Sequence, residues 1–202
     1  MAGLHVFLIR HGETALNADG VLRGQIDVAL DAVGVAEALA LGEMFRELPL
    51  SAVVSSPLAR AVSTARPVAL ACRSALTIDD RLRDRFYAEW AGQSLSRVEK
   101  QFGSIDAAPS VESSRLLEAR AEEAFRDAIA QGEIAGGMAL VTHDAVLRAL
   151  LRRLVPTLNV ASLVLPTGSW TELVQHGGPD RWTADRIGEV PGSGRRPVLS
   201  FS

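Results

Sequence analysis

Cysteine is nearly absent. Cys72 is the only one among 202 residues, which excludes an intrachain disulfide and a thiolate metal cluster. It falls in an Ala-rich apolar run and reads as a small core residue. Lysine is as scarce: Lys100 stands alone, so arginine carries almost all of the positive charge. A guanidinium fork suits phosphate, but genomic base composition gives the same bias, so the bias alone decides nothing. The net charge of -3 leaves no basic footprint for nucleic acid. No apolar run is long enough to span a bilayer. Residues 4–9 are apolar, but too few for a secretory signal core, and they run straight into Arg10. A cytoplasmic protein without membrane or nucleic-acid partners is expected. With 48% hydrophobic and 22% charged residues, the composition is that of a soluble globular chain. Its length fits a single domain over residues 1–202 with a full core.

Strand and helix patterns alternate along the chain. Residues 4–9 read as a buried strand and 31–45 as a helix with Val35, Leu39 and Met44 among its apolar positions. A second strand covers 52–54. Ser56-Pro57 then opens a helix, with Ser56 as N-cap and Pro57 at the first helical position, and Pro67 should kink or end it. Further strands are expected at 76–78, 138–142, 163–165 and 170–175, and helices at 115–131 and 145–154. This order predicts an α/β fold, a three-layer sandwich around a mostly parallel central sheet. Ligands bind such sheets at the carboxyl ends of the strands. His11 ends the first strand and His143 the strand at 138–142. Residues 93–114 are assigned as a cap segment and 177–202, rich in Gly, Pro and Arg, as an extended C-terminal tail.

Chemistry concentrates in Arg10-His11-Gly12-Glu13-Thr14, with Asn17 close behind. A lone His at a strand end is commonly a capped or solvated residue. Here an Arg and a His stand side by side at a strand end, before a Gly that lets the backbone approach a ligand closely. Glu13 either tunes the His11 turn or is a solvated loop residue.

These residues begin a series. Leu22-Arg23-Gly24-Gln25 leads to Leu30 and Gly34. Ser55-Ser56-Pro57-Leu58-Ala59-Arg60-Ala61 follows, with Thr64-Ala65. Then come Leu82-Arg83-Asp84-Arg85-Phe86-Tyr87-Ala88-Glu89-Trp90-Ala91-Gly92, Glu112-Ser113, Val141-Thr142-His143, Leu147-Arg148-Ala149-Leu150-Leu151 and Thr167-Gly168-Ser169. In content and order the series resembles the histidine phosphatase superfamily, the phosphoglycerate mutase-like proteins. That resemblance implies a phosphatase acting on a small phosphorylated metabolite without metal or cofactor. His11 would be the nucleophile. Arg10, Arg60 and His143 would surround the phosphoryl group, Asn17 would assist, and Asp84 would protonate the leaving oxygen. Gly24 lies in a segment the family shares. Elementary chemistry agrees, because phosphoryl transfer needs charge stabilisation at the equatorial oxygens and cationic neighbours keep an imidazole neutral.

The chain departs from the family pattern at several positions. Asp84 stands where Glu is usual, Phe86 where Asp is, and Ala88 where Gly is. Asp144 follows the second His in place of Gly. Facing inward, Asp144 would repel an anion; turned aside, it would cap the following helix, and capping preference favours the second arrangement. Three other functions compete: a phosphoglycerate mutase, an inactive binding module on the same fold, and a metal site built from His11, His143, Asp84 and Asp144. A mutase usually needs longer insertions around the site, an inactive relative typically loses His or Arg, and the arginines oppose a divalent ion. Oligomeric state is not read from the sequence; a homodimer is the common case.

Overall fold

The computed structural model describes residues 4–18, 21–46, 48–130, 137–178, 180–195 and 197. A six-stranded sheet runs in the order β3-β2-β4-β1-β5-β6. Its strands are β1 (His5–Arg10), β2 (Leu50–Ser55), β3 (Ala75–Ile78), β4 (Gly137–Thr142), β5 (Trp170–Gln175) and β6 (Trp182–Glu189). The first four in the order are mutually parallel, and β5 and β6 join antiparallel. The helices are α1 (Ala15–Ala18), α2 (Ala32–Phe45), α3 (Ala59–Cys72), α4 (Leu95–Phe102), α5 (Ser114–Ala130) and α6 (Asp144–Leu154).

Alternation along the strands fills both faces. Val6, Leu8, Met138 and Leu140 point to one side, where α5 and α6 supply Leu117, Phe125, Leu147 and Leu150. Phe7, Ile9, Ala139 and Val141 point to the other, where α2 and α3 supply Leu41, Phe45, Ala61 and Val68. Strands covered on both faces read as unbroken apolar runs, which is why β1 and β4 are plain in the sequence. Leu22, Val98 and Ala108 make a third, smaller cluster with Tyr87, Trp90 and Phe102 around it.

Several expectations need correction. Helix α3 continues through Pro67 to Cys72. Pro67 lies against Gly42 of α2, where even a Cβ would come within 2.9 Å, so packing between the two helices outweighs one lost hydrogen bond. The buried face of α2 is Gly34, Ala38, Leu41, Gly42 and Phe45, small enough for that approach, while Val35 and Leu39 lie outside. Residues 163–165 are not a strand: the carbonyls of Leu163 and Leu165 accept from Arg148 and Arg10 instead of a sheet neighbour. Residues 177–202 are not a tail throughout, because β6 falls inside them and pairs with β5. Its Trp182 packs edge-on against Phe125 at 5.1 Å; flanking Gly and Pro hid an alternating run. Gln131, Arg196 and residues 198–202 lie outside the described residues.

Sheet register sets up the site. Arg10 pairs with Thr142, and the His11 N–H donates to the Thr142 carbonyl at 2.9 Å. Ser55 pairs with Val141 and with Ile78. Four parallel strands thus end level, and the residues that follow them meet beyond their carboxyl ends.

Candidate active site

His11 follows β1 and is fully buried. Its Nδ1 lies 2.7 Å from the Gly12 carbonyl. A carbonyl only accepts, so Nδ1 carries the proton and the lone pair is on Nε2. That Nε2 is buried without a partner. Burial holds the imidazole pKa well below its usual range, and Arg60, Arg10 and Arg23 push the same way against the Gly12 hydrogen bond. A neutral, oriented imidazole with a free lone pair is a nucleophile.

Gly12 works differently from the expectation. A Cβ there would lie 2.5 Å from the Gly34 carbonyl oxygen, and one on Gly34 would lie 2.1 Å from that of Glu13. Both glycines let the first turn of α2 press on the loop that aims His11; the close approach is to α2. The Glu13 backbone N–H donates to Glu37 of α2 at 2.8 Å and its carbonyl accepts from Asp31. Asn17 is tied inward, its Oδ1 accepting from the Thr14 N–H at 3.0 Å and from the Thr14 hydroxyl at 2.8 Å.

His143 follows β4 and caps α6; its ring centre is 5.0 Å from that of His11. Its Nε2 lies 2.8 Å from the Ser56 hydroxyl, and that oxygen also accepts from the Leu58 N–H at 3.3 Å. The hydroxyl proton is then available to Nε2, which leaves Nδ1 as the donor toward the site. This Nδ1 is buried, without a hydrogen bond, 3.9 Å from Asp84 Oδ2. Ser56 is therefore not the N-cap of α3. Leu58 occupies that position without a side-chain bond, and Asp27 reaches across to accept from the Ala59 N–H at 2.7 Å.

Arg60 lies in the first turn of α3, wholly buried. Its terminal nitrogens donate to Ile26 O at 2.8 Å and Gly24 O at 2.7 Å, and Nη2 stands 3.3 Å from Asp84 Oδ2. Gly24 adopts a positive φ of 51° against the backbone of Arg85 and the ring of Tyr87. Asp84 is nearly buried, and burial raises its carboxyl pKa although Arg60 and the Arg85 N–H pull it down. Arg120 of α5 steadies this loop by donating to the carbonyls of Arg81, Arg83 and Asp84. Glu112 in turn clamps Arg120 with both oxygens, at 2.6 and 2.9 Å. The departure at Ala88 has a visible cost: its φ is 49°, a region where a Cβ is strained.

Asp144 is the first residue of α6 and not its cap. It bonds Arg148 Nε at 2.8 Å, one turn on, and lies 4.0 Å from Arg10. An ion pair thus absorbs its charge. Arg10 donates to the Leu165 carbonyl and keeps its Nε buried and free. Arg23, to which the sequence reading gave no role, belongs to the same group: its Nε is buried without a partner, and it acts electrostatically on His11, His143, Asp84 and Arg10. Its only signal in the sequence was an arginine placed just before Gly24. Ser56 was visible but misread, and Arg120 carried no local signal.

His11, His143, Arg60 and Asp84 are thus brought together, with Arg10 and Arg23 beside them. A surface concavity of about 620 Å³ lies between residues 154–157 and 176–183, at the far end of α6. Its lining includes His176, Asp180 and Arg181, but not the pair of fully buried imidazoles found at the strand ends.

Both buried imidazoles make stability depend on pH. Their folded pKa values are depressed well below the usual range, so below about pH 6.5 the unfolded chain binds protons that the folded chain does not. Stability is expected to fall as pH drops through that range, by up to about 1.4 kcal/mol per pH unit for each imidazole. Asp84 runs the opposite way, since its raised pKa favours the protonated folded form. Denaturant unfolding from pH 7.5 to 5 should show a shallower slope for His143→Gln than for the wild type; parallel slopes would refute the assignment.

The sequence model of the histidine phosphatase superfamily (branch 1) matches residues 6–189. A protein of Salmonella choleraesuis named "Probable phosphoglycerate mutase GpmB" is 43% identical over 81 residues. That stretch covers 40% of this chain and 38% of the relative, so the match spans under two-fifths of the relative's length. Two of the solved structures that share the fold are representative. A mycobacterial glucosyl-3-phosphoglycerate phosphatase in complex with VO3 has a TM-score of 0.78 at 25% identity, covering 92% of this chain and 98% of the other. Phosphoglycerate mutase from Bacillus anthracis str. Sterne has a TM-score of 0.80 at 22% identity, covering 93% and 94%.

Proposed function

Because the chain belongs to the histidine phosphatase superfamily (branch 1), we propose that it is a metal-independent phosphomonoester hydrolase working through a phosphohistidine on His11. The observation that carries this reading is the free, buried Nε2 of His11 among buried guanidinium and imidazole donors that also lack partners. Nε2 attacks phosphorus, an N–P bond forms, and the ester P–O bond breaks. Asp84 gives its proton to the departing oxygen. Water then attacks phosphorus while the Asp84 carboxylate accepts its proton, and the N–P bond breaks to release phosphate. Arg10, Arg60 and His143 Nδ1–H hold the equatorial oxygens, where charge develops. The dipole at the start of α6 adds to that field. Asn17 offers its amide N–H groups at the rim. Glu13 serves the loop through its backbone, and Gly24 through its bond to Arg60.

What supports hydrolysis over transfer is chain economy. α3 and β3 occupy most of the span between Arg60 and Asp84. Beyond it, the 93–114 segment, which we take as the cap, contributes α4 and one short 3-10 turn. A mutase reading rests on the likeness to GpmB. Release of inorganic phosphate from nitrophenyl phosphate and from alkyl phosphates tests the proposal. Turnover is expected without added metal and unchanged in excess chelator. Loss in chelator restored by one divalent ion would overturn metal independence, and interconversion of 2- and 3-phosphoglycerate faster than phosphate release would make the chain a mutase.

A further inference from the structure

The tautomer of the nucleophile rests on a very local bond. His11 Nδ1 donates to the carbonyl of the next residue, Gly12, at 2.7 Å. Glycine has little conformational constraint of its own. The bond therefore aims the imidazole only if the Gly12 carbonyl is itself held. That carbonyl belongs to the peptide unit joining residues 12 and 13. The unit is planar and trans, so its C=O and N–H point opposite ways, and holding one end aims the other. The other end is the Glu13 N–H, which donates to Glu37 Oε2 at 2.8 Å.

Glu37, in the second turn of α2, is braced in its turn. Its Oε1 accepts from the Thr167 hydroxyl at 2.9 Å. Gly168 lies against its side chain, where a Cβ would come within 2.7 Å of the Glu37 Cβ. The Gly168 N–H donates to the His11 carbonyl at 3.1 Å. Glu37 and the Thr167-Gly168 turn thus hold the backbone that follows His11 at two points. Glu37 makes no ion pair among the described residues; its two oxygens go to neutral donors. Charge assistance makes such bonds roughly twice as strong as neutral ones. A peptide polarised at its N–H is also a better acceptor at its carbonyl.

We propose that Glu37 is a positioning residue for the nucleophile. Acting through the 12–13 peptide, it keeps the Gly12 carbonyl on His11 Nδ1 and so keeps the lone pair on Nε2. It touches no reacting atom. The assignment rests on the role given above to His11.

Two readouts test it. The first is NMR of protein with isotope-labelled histidine ring nitrogens, the His11 signals being identified by their loss in His11→Gln. The wild type should show the Nδ1–H tautomer alone, and Glu37→Ala a mixture of both neutral tautomers. The second is the burst of phosphorylation with nitrophenyl phosphate. It should slow about tenfold or more in Glu37→Ala, as misaimed reacting groups do. Inhibition by inorganic phosphate should change by less than about twofold, because Glu37 makes none of the charge-assisted contacts to the anion. Glu37→Gln should recover the single tautomer, and the burst to within about threefold, since its amide oxygen accepts the same N–H. Glu37→Asp falls one methylene short and should resemble Glu37→Ala; it carries the test if the alanine variant does not fold. A single Nδ1–H tautomer in a folded variant that lacks the contact would overturn the proposal. So would a Glu37→Gln variant as slow as Glu37→Ala, or a loss of phosphate affinity that matches the loss of rate. The tautomer is read without turnover, so an inactive wild type would overturn the hydrolase reading and leave this result legible.

Discussion

His11→Ala is expected to lower phosphate release by about 10⁵-fold or more, on the scale seen when a covalent nucleophile is removed. No neighbour can replace it. His143 is the nearest imidazole, but its Nε2 is engaged by Ser56 and its Nδ1 carries a proton in the tautomer that this bond favours. Asp84 is protonated in its role as acid and stands beside Arg60. In rapid-quench experiments with labelled substrate, the wild type should accumulate an acid-labile, alkali-stable phosphoenzyme that the variant lacks. Thermal unfolding of His11→Ala separates chemistry from folding. A folded variant retaining more than about a hundredth of wild-type turnover, well above the loss expected for a nucleophile, would remove His11 from that role.

Asp84→Asn should divide substrates by leaving group. An alkoxide needs a proton as it departs, and a positioned acid contributes about 10²–10⁴-fold. A nitrophenolate departs without one. The burst phase isolates phosphorylation of His11, so its rate should collapse for alkyl phosphates and change little for nitrophenyl phosphate. Burial raises the Asp84 pKa above the ordinary carboxyl value. The alkyl-phosphate burst in the wild type should therefore be fastest below that raised pKa and fall as pH rises through it, and the Asn variant should lose this limb. Equal losses for both leaving groups would sink the assignment and turn attention to Glu89 in the same segment.

Much of this site was legible because its residues sit where strands end. Hydrophobic runs locate β1 and β4, and His11 and His143 are the first polar residues after them. Parallel register then places them together without further information. Arg60 and Asp84 were found from the motifs around them, not from periodicity. What escaped has a common cause. Ser56 looks like a helix cap in sequence because Ser-Pro usually is one, yet Asp27, 32 residues before Ala59, satisfies the Ala59 N–H and frees the Ser56 hydroxyl for His143. Arg120 meets carbonyls 36 to 39 residues away, a distance that no local pattern encodes. β6 was lost among Gly and Pro because strands at a sheet margin keep little apolar content. Asp144 was weighed as cap or intruder, and an i,i+4 pair with Arg148 made it neither.

The margins of the sheet bear on self-association. At one side β3 is only four residues long, too short to template another strand well. At the other, β6 covers β5, whose buried Glu172 is held by His5 at 2.8 Å and by Arg186 of β6 at 2.7 Å. Its pairing slips register twice between Trp170 and Leu173, and Asp185 is exposed along it. A kinked, charged border of this kind repels the edge of a second sheet. A chain cut short before Trp182 would trade it for the straight flank of β5, with Arg186 gone from Glu172 and the Phe125 ring uncovered, and would be expected to aggregate more readily than one that keeps β6.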